Sequence, residues 1–439
     1  MKINKDLQVK LKRFKNDKRA YISFLLLAAA FLITFPAELV CNVRPILLVV
    51  EGKSYFPIFF TYSEKDFGGS LPSEPDYKSA RFTRILFGVG PDHSEPPTKK
   101  NVMENSSGFG LDLEDFEEES TNPNPQRENP AEQEASFTLG LEDFEDEVSS
   151  TPEDRELQES VAKTRTTARD YWMVWPPVHY DYKYIPTESQ AGNVVLAAPY
   201  DTPGSKNRDF IESSWVDGHY LGTDDRGRDI LARLIYGFRI SMIFGISLAI
   251  TGTILGCLIG GTQGFFGGWV DLIGQRLTEI WGSIPRLYIL IILSSFLVPS
   301  VLLLFVILNL TAWMGIAAYI RAEFLKIRNF EYVKAAKAMG VSHFSIMRRH
   351  ILPNGLTPVV TFFPFEVTAG ILALVSLDYL NLGVPSPAPS MGELLAQGKN
   401  NLQAIWIILP TFTVLTLTLT ILTFVGEGVR NAFDPRKSV

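Results

Sequence analysis

Residues 329–354 read NFEYVKAAKAMGVSHFSIMRRHILPN, a short polar stretch between two long apolar runs. The runs cover about 300–320 and 356–377, and each has the roughly 20 residues that a membrane-spanning helix needs. A basic, helix-forming segment held between two spans is a surface on which another protein can push. We therefore expect a chain that does no chemistry of its own and forms the membrane part of a machine driven from the cytoplasm.

The apolar runs predict an all-α polytopic membrane protein with six transmembrane helices. The spans are expected at about 21–41, 236–263, 279–298, 300–320, 356–377 and 404–426. The first run could also be a secretory signal. However, Val40 before Cys41 is not the small residue that cleavage requires, which favours an uncleaved anchor.

Lysine and arginine predict the orientation of these spans. Residues 1–20 hold eight lysines and arginines against two aspartates, so this basic N-terminus is expected in the cytoplasm. Six crossings return the C-terminus to the same side and place 329–354 there too. Residues 42–235 then form a large extracytoplasmic segment, and 221–439 form a transmembrane domain with the remaining five helices.

The extracytoplasmic segment changes composition along its length. Short apolar runs between Pro45 and Phe67 favour strands, whereas 91–168 is acidic, polar and rich in proline. The acidic block contains a near repeat, LEDFEEES at 113–120 and LEDFEDEV at 141–148. Its composition predicts a disordered linker, and the alternative is a pair of docking motifs that present Phe116 and Phe144. Aromatic density returns at 171–220, which favours a folded region.

The segment LGTDDRGRDILARLIYGFR at 221–239 predicts a capped amphipathic helix that leads into the second span. Asp224 or Asp225 is the expected N-cap. Asp229 and Arg233 stand four residues apart, a spacing at which opposite charges pair on a helix.

Small residues and carboxylates stand out inside the spans. Glycines recur every four residues in the second span, and such a ridge favours a tight bundle or a dimer seam: Gly252, Gly256, Gly260 and Gly264. Glu366 lies inside the fifth span and Glu279 begins the third, where Arg276 is its expected partner. Both carboxylates are candidates for the translocation path, and the alternative for Glu366 is that it pairs with a neighbouring chain or faces a wet cavity.

Local signals divide 329–354 into two helices. Asn329 is a good N-cap, and Glu331 suits the first turn. Gly340 predicts a left-handed stop after Met339, and Ser342 predicts the cap of a second helix that ends near Pro353. Because Ala336 and Gly340 lie one turn apart, one face is expected to be free of bulk and open to close packing; an ordinary helix pair on the membrane surface is the alternative.

This segment resembles the EAA loop of ABC importer permeases, the coupling helix that docks on the ATPase. The resemblance rests on the paired alanines, the glycine and the Leu-Pro exit. It assigns ATPase coupling to Lys334, Ala335, Ala336, Gly340, His350, Leu352 and Pro353. The glutamate that names the loop is Lys334 here, a change common in the peptide branch.

Other stretches are similar to the dipeptide and oligopeptide branch of these permeases. They are the segment at 221–241, Ile284-Pro285, RHILPN at 349–354 and FVGEGVRNAFDPR at 424–436. SLDYLNLGVP at 376–385 and GELLAQGKNNLQA at 392–404 resemble the second permease of microcin C-type peptide importers. The resemblance covers about 210–439 strongly and the first span weakly, and 91–168 has no recognised counterpart.

The resemblance implies a type I ABC importer permease in the bacterial inner membrane, with both termini cytoplasmic. The implied partners are a second permease in a heterodimer, an ABC ATPase, an extracytoplasmic solute-binding protein, membrane lipid and a peptide substrate, with no nucleic acid. The chain is then no enzyme and binds no cofactor or metal, since the partner ATPase hydrolyses ATP. Its GKS at 52–54 lacks the upstream glycine of a P-loop.

Two other functions are compatible with the same residues. An ion-coupled secondary transporter would use Glu366 and Glu279 for protons. A membrane-anchored scaffold would instead use the acidic block as its working part. Dependence on an ATPase and deletion of 91–168 separate these alternatives from the ABC permease.

Overall fold

A computed structural model describes residues 5–87, 171–186, 189, 192–203, 210–297 and 300–434. The acidic block predicted at 91–168, with its repeat at Phe116 and Phe144, lies outside the described residues. The chain divides into two compact units. The first comprises Met1–Leu48, Tyr55–Phe60 and Met173–Val439, and the second comprises Val49–Ser54 and Thr61–Trp172.

The described parts of residues 42–235 contain short strands. Strand β1 is Leu47–Val50, β2 is Lys53–Tyr55, β3 is Tyr171–Val174, β4 is Thr202–Pro203 and β5 is Phe210–Ile211. The first three form a sheet in the order β2-β1-β3, and β4 pairs antiparallel with β5. The run LLVV therefore forms the strand that its composition predicts, whereas YFPIFF contributes only Tyr55 to a strand.

Helices make up most of the described chain. They are α1 Lys5–Asn16, α2 Lys18–Thr34, α3 Ala37–Val40, α4 Ala80–Leu86, α5 Ile230–Phe266, α6 Gly268–Gly282, α7 Arg286–Phe296, α8 Val301–Ile327, α9 Glu331–Ala338, α10 His343–Ile346, α11 Leu352–Gly355, α12 Thr357–Tyr379, α13 Met391–Asn400 and α14 Ile405–Phe433. A π-helical turn, Met347–Ile351, joins α10 to α11. Four helices of the described residues, α5, α8, α12 and α14, are long and apolar enough to cross a membrane. They coincide with the second, fourth, fifth and sixth predicted spans.

The other two predicted spans fall on shorter helices. The third, expected as one helix over 279–298, is divided between α6 and α7 at Ser283-Ile284-Pro285. Proline lacks the N–H for a helical hydrogen bond and disfavours the helical conformation of the residue before it. With 11 residues, α7 is about 16 Å long, which is short of a bilayer core of about 30 Å.

Proline also shortens the first predicted span. Helix α2 ends at Thr34, and Pro36 separates it from α3. Asp17 begins α2, because its carboxylate accepts a hydrogen bond from the Ala20 N–H at 3.4 Å. The predicted span over 21–41 is therefore two helices rather than one.

The glycine ridge of α5 lies against α8 of the same chain. A Cβ added to Gly260 would stand 2.2 Å from the Ala317 carbonyl oxygen, and one added to Gly264 would stand 2.6 Å from that of Arg321. The two helix backbones thus approach as closely as only glycine allows. A Cβ added to Gly252 or Gly256 would likewise stand 3.3 or 2.8 Å from the nearest atom of α8.

Candidate functional site: the coupling segment and its surroundings

The structure divides residues 329–354, called here the coupling segment after their predicted role, into two helical parts at Gly340. Gly340 has φ +77°, the left-handed conformation that glycine adopts without steric cost, so the predicted stop is confirmed. Ser342 begins the second part by accepting a hydrogen bond from the Ser345 N–H. This part continues through the π-helical turn to Gly355, slightly beyond the predicted end near Pro353.

Asn329 is not the cap of the first helix. Its side-chain amide donates to the Leu325 carbonyl at 3.0 Å, and so belongs to the end of α8. Phe330 takes the N-cap position of α9 with extended backbone and no side-chain hydrogen bond. The predicted cap was wrong because the preceding helix offered this amide a carbonyl one turn back.

One face of the coupling segment is buried in the chain's own core. Val333, Ala336, Ile346 and Ile351 pack with Ile316, Ile320 and Phe324 of α8 and with Val359 of α12. Ala336 is 2% exposed, so the predicted open face of Ala336 and Gly340 does not exist as one surface. Only Gly340 is open, since a Cβ added there would meet nothing within 4 Å.

The opposite face is exposed and carries two large apolar side chains. Met339 is 76% exposed and Phe344 is 66% exposed, on either side of the Gly340 turn. Ala335 and Ala338 are also exposed. Sequence reasoning missed this pair, although two large apolar residues flanking a glycine turn in a polar segment were a readable signal.

The remaining residues assigned to coupling differ in their surroundings. Lys334 is exposed and pairs with Glu331, Nζ to Oε1 at 3.1 Å. The His350 carbonyl accepts a hydrogen bond from the Asn354 amide at 3.1 Å. Leu352 is half-buried against the core beneath the segment, whereas Pro353 is exposed.

The two candidate path carboxylates lie in different environments. Glu366 of α12 lines a cavity of about 180 Å³ between α5, α8 and α12, together with Thr253 and Thr311. The buried Thr253 hydroxyl has no hydrogen-bond partner in the described chain. Glu279 instead lies on α6 and pairs with Arg276, Nη1 to Oε2 at 2.6 Å, with both side chains largely exposed. The structure does not bring the two carboxylates together in one cavity.

A buried ionic cluster lies where residues 221–229 lead into α5. Its members are Asp224, Arg228, Arg233 and Glu393. Arg233 Nη2 donates to Glu393 Oε2 at 2.5 Å, and Arg228 Nη2 lies 2.7 Å from Asp224 Oδ2. Asp224 and Arg233 are fully buried. The cluster ties the segment before α5 to α13, because a buried charge that loses its partner of opposite sign is strongly destabilising.

The structure corrects the predicted roles of the aspartates in and beside this cluster. Asp229, rather than Asp224 or Asp225, caps α5 by accepting from the Ala232 N–H at 2.7 Å. Asp229 also binds His219, Oδ2 to Nδ1 at 2.9 Å, and so does not pair with Arg233. Burial and the adjacent charge of Asp224 raise the pKa of Asp225. Local spacing could not reveal that α13 supplies the partner of Arg233.

No group of three or more histidine, cysteine, aspartate and glutamate side chains suited to a metal ion occurs among the residues that the structure describes. His343 lies beside two aromatic rings, with its ring centre 5.8 Å from that of Phe265. His219 is stacked on Tyr180 at 3.9 Å. Burial raises the pKa of the Tyr180 hydroxyl, whose proton is donated to the Asp217 carbonyl.

Comparison with known proteins identifies this architecture. The family of binding-protein-dependent transport system inner membrane components matches residues 233–439. The peptidoglycan transport system permease protein YejE of Agrobacterium fabrum is 36% identical over 436 residues, covering 97% of this chain and 92% of the relative. The chain belongs to this family of ABC importer permeases. It therefore has the type I importer permease fold and is a multi-pass inner membrane protein of a family of transporters rather than enzymes.

Two further relatives show how far the family extends along the chain. The inner membrane ABC transporter permease protein YejE of Escherichia coli is 34% identical and covers 98% of this chain and 98% of the relative. The oligopeptide transport system permease protein OppC of Escherichia coli is 38% identical over 220 residues, covering 50% of this chain and 73% of OppC. The matches with both YejE proteins therefore span nearly the whole chain, whereas the match with OppC spans half of it.

Proposed function

We propose that this chain carries peptides or peptide-like compounds inward across the membrane, driven by an ATPase that docks on the coupling segment. The observation that carries the proposal is the division of that segment into two faces. Met339 and Phe344 point outward, while Val333 and Ile346 are buried against α8. A partner bound to the outer face would therefore move helices inside the membrane.

The buried face supports such mechanical coupling. Phe324 of α8 belongs to the same buried core as Val333 and Ile346. A Cβ added to Gly355, where the segment ends, would stand 2.9 Å from the Phe324 ring. Close-packed interiors transmit displacement because they contain no free volume to absorb it. A rotation of α9 and α10 is then passed to α8 and α12, and Glu366 lies between α12 and α8.

The wider assembly follows from the same proposal. A second permease forms a heterodimer with this chain, ATPase subunits hydrolyse ATP in the cytoplasm, and a solute-binding protein delivers the peptide from outside. Both termini of this chain are cytoplasmic, as the basic N-terminus favours. The names of the YejE and OppC relatives, which refer to peptidoglycan and oligopeptide transport, support the substrate class.

The test is co-purification of the permease complex with a tagged ATPase. The double variant Met339→Ser, Phe344→Ser removes the exposed apolar pair without touching the buried face. Truncating one side chain at the centre of an interface costs about 2 kcal/mol or more, a factor of about 30. Since the two losses need not add, we expect docking to weaken at least about 30-fold while membrane insertion is unchanged. Trp215→Ser, an exposed aromatic residue of the extracytoplasmic segment, is the matched control.

Two results would contradict the proposal. Unchanged co-purification of the double variant would place the ATPase elsewhere. Peptide uptake that persists when the partner ATPase is made unable to hydrolyse ATP would favour ion-coupled transport instead.

A further inference from the structure

Helix α1 and the start of α2 carry a strongly basic surface. Its five cations, called here the N-terminal basic surface, are Lys12, Arg13, Lys15, Lys18 and Arg19. Four of these side chains are exposed, and that of Arg13 is half-buried. Among the residues that the structure describes, none of the five forms an ion pair. The surface therefore carries positive charge that forms no ion pair within the part of the chain that the structure describes.

The fold holds this surface at the end of two spans. Lys10 lies over the Phe433 ring at 5.1 Å, and Phe14 packs edge-on against Phe24 at 6.1 Å. Residues 10 and 14 lie on one face of α1, four positions apart, so Lys12 and Lys15 project from the other face. Helix α1 is thus fixed against α2 and α14 with its cations outward.

A polar cavity lies at the same corner. It has a volume of about 470 Å³ and is lined by Asn16, Asp17, Lys18, Arg19, Ala20, Phe424, Glu427 and Asn431. Lys18 and Arg19 suit a phosphate group, whereas the Glu427 carboxylate accepts hydrogen bonds from hydroxyl groups. Val9 and Leu11 of α1 are each 48% exposed and offer apolar contact beside the cations.

We propose that the N-terminal basic surface binds anionic phospholipid headgroups of phosphatidylglycerol type, a phosphate diester that bears hydroxyl groups. Basic clusters directly beside a transmembrane helix are attracted to anionic lipid by about 1 kcal/mol per cation near the surface. The bound lipid would seat α1 against the ends of α2 and α14. The cytoplasmic position of the N-terminus, proposed above, decides only which leaflet supplies the lipid.

The test uses the full-length permease in vesicles that contain phosphatidylglycerol, phosphatidylethanolamine and phosphatidylcholine in both leaflets. Electron paramagnetic resonance of spin-labelled phosphatidylglycerol, phosphatidylethanolamine and phosphatidylcholine measures how much of each is immobilised by the protein. We expect a preference for phosphatidylglycerol that weakens with added salt. The variant Lys12→Gln, Lys15→Gln, Arg19→Gln should reduce it, by up to about fivefold per cation at low salt.

Two variants serve as controls. Lys53→Gln, Lys65→Gln, Arg84→Gln removes the same charge from exposed extracytoplasmic residues and should keep the preference. Lys12→Arg, Lys15→Arg retains the positive charge and should therefore retain the preference for phosphatidylglycerol. Immobilisation of phosphatidylglycerol equal to that of phosphatidylcholine or phosphatidylethanolamine, or an equal loss in the extracytoplasmic variant, would overturn the proposal.

A third result would also overturn it. If the variant keeps its lipid preference but loses co-purified ATPase, the surface binds protein rather than lipid. Because both leaflets contain the lipid, a reversed orientation of the N-terminus leaves the expected result unchanged. The orientation is read separately, from the protease accessibility of an N-terminal tag in closed vesicles.

Discussion

Arg233 is the residue on which the buried ionic cluster depends most. It is fully buried and joins Glu393, Asp224 and the Tyr182 carbonyl, the last at 3.1 Å from Nη1. We predict that Arg233→Met lowers the free energy of unfolding by about 3–5 kcal/mol, because it leaves carboxylates buried without a counter-charge. Titration of the purified permease with denaturing detergent measures the loss.

Arg239→Met is the control for this prediction. Arg239 also pairs with a carboxylate, Nη1 to Glu38 Oε2 at 2.8 Å, but the Glu38 side chain is 53% exposed. Exposed pairs contribute at most about 1 kcal/mol, so the control should lose little stability. Equal losses in the two variants would mean that burial of the cluster is not what stabilises it.

Glu366 lines the cavity between α5, α8 and α12 and is the candidate of the translocation path that a substitution can test. Glu366→Gln keeps the size of the side chain and removes its charge, so we predict slower peptide uptake at normal expression if the carboxylate faces the path. Uptake into vesicles that contain the complete transporter measures the effect. Glu323→Gln, which alters a carboxylate paired with Lys326 at 3.1 Å, should leave uptake unchanged. Equal uptake by both variants would remove Glu366 from the path.

At the scale of the element, the contact of α5 with α8 depends on glycine. A Cβ at Gly260 would overlap the Ala317 carbonyl, so we predict that Gly260→Ala separates the helices and costs about 1–3 kcal/mol. Gly282→Ala should be tolerated, because its Cβ would lie 3.4 Å from the flexible Met314 sulfur. Unfolding in mixed micelles compares the two, and a tolerated Gly260→Ala would show that α5 and α8 can move apart without cost.

The elements also show how far local sequence signals reach. The bounds of α8, α12 and α14 differ from the predicted spans by only a few residues at most ends, since continuous apolar length is a local property. The break between α6 and α7 was readable at Ile284-Pro285, yet the apolar length there outweighed the proline in the prediction. The Asn329 cap failed because Leu325, in the preceding helix, competed for the same amide.

At the scale of the whole molecule, three sets of described interactions that hold the helical unit together lie outside residues 91–168. These are the ionic cluster, the glycine ridge and the core beneath the coupling segment. We predict that a permease with 91–168 deleted still co-purifies with its ATPase. Pull-down of the tagged ATPase measures this, with uptake assayed in the same preparation. Loss of ATPase binding would support the scaffold alternative, in which the acidic block is the working part.

The sequence by itself determined where the long helices lie and where the coupling segment turns, and it predicts the side of the membrane on which that segment lies. Each of these depends on apolar length, a glycine or a charge count within a few neighbouring residues. Only the tertiary structure decided that Ala336 is buried while Met339 and Phe344 are free, and that Arg233 pairs with Glu393, 160 positions away. Those facts depend on which helix packs against which face, and contacts between distant parts of the chain leave no periodic or local signal in the sequence.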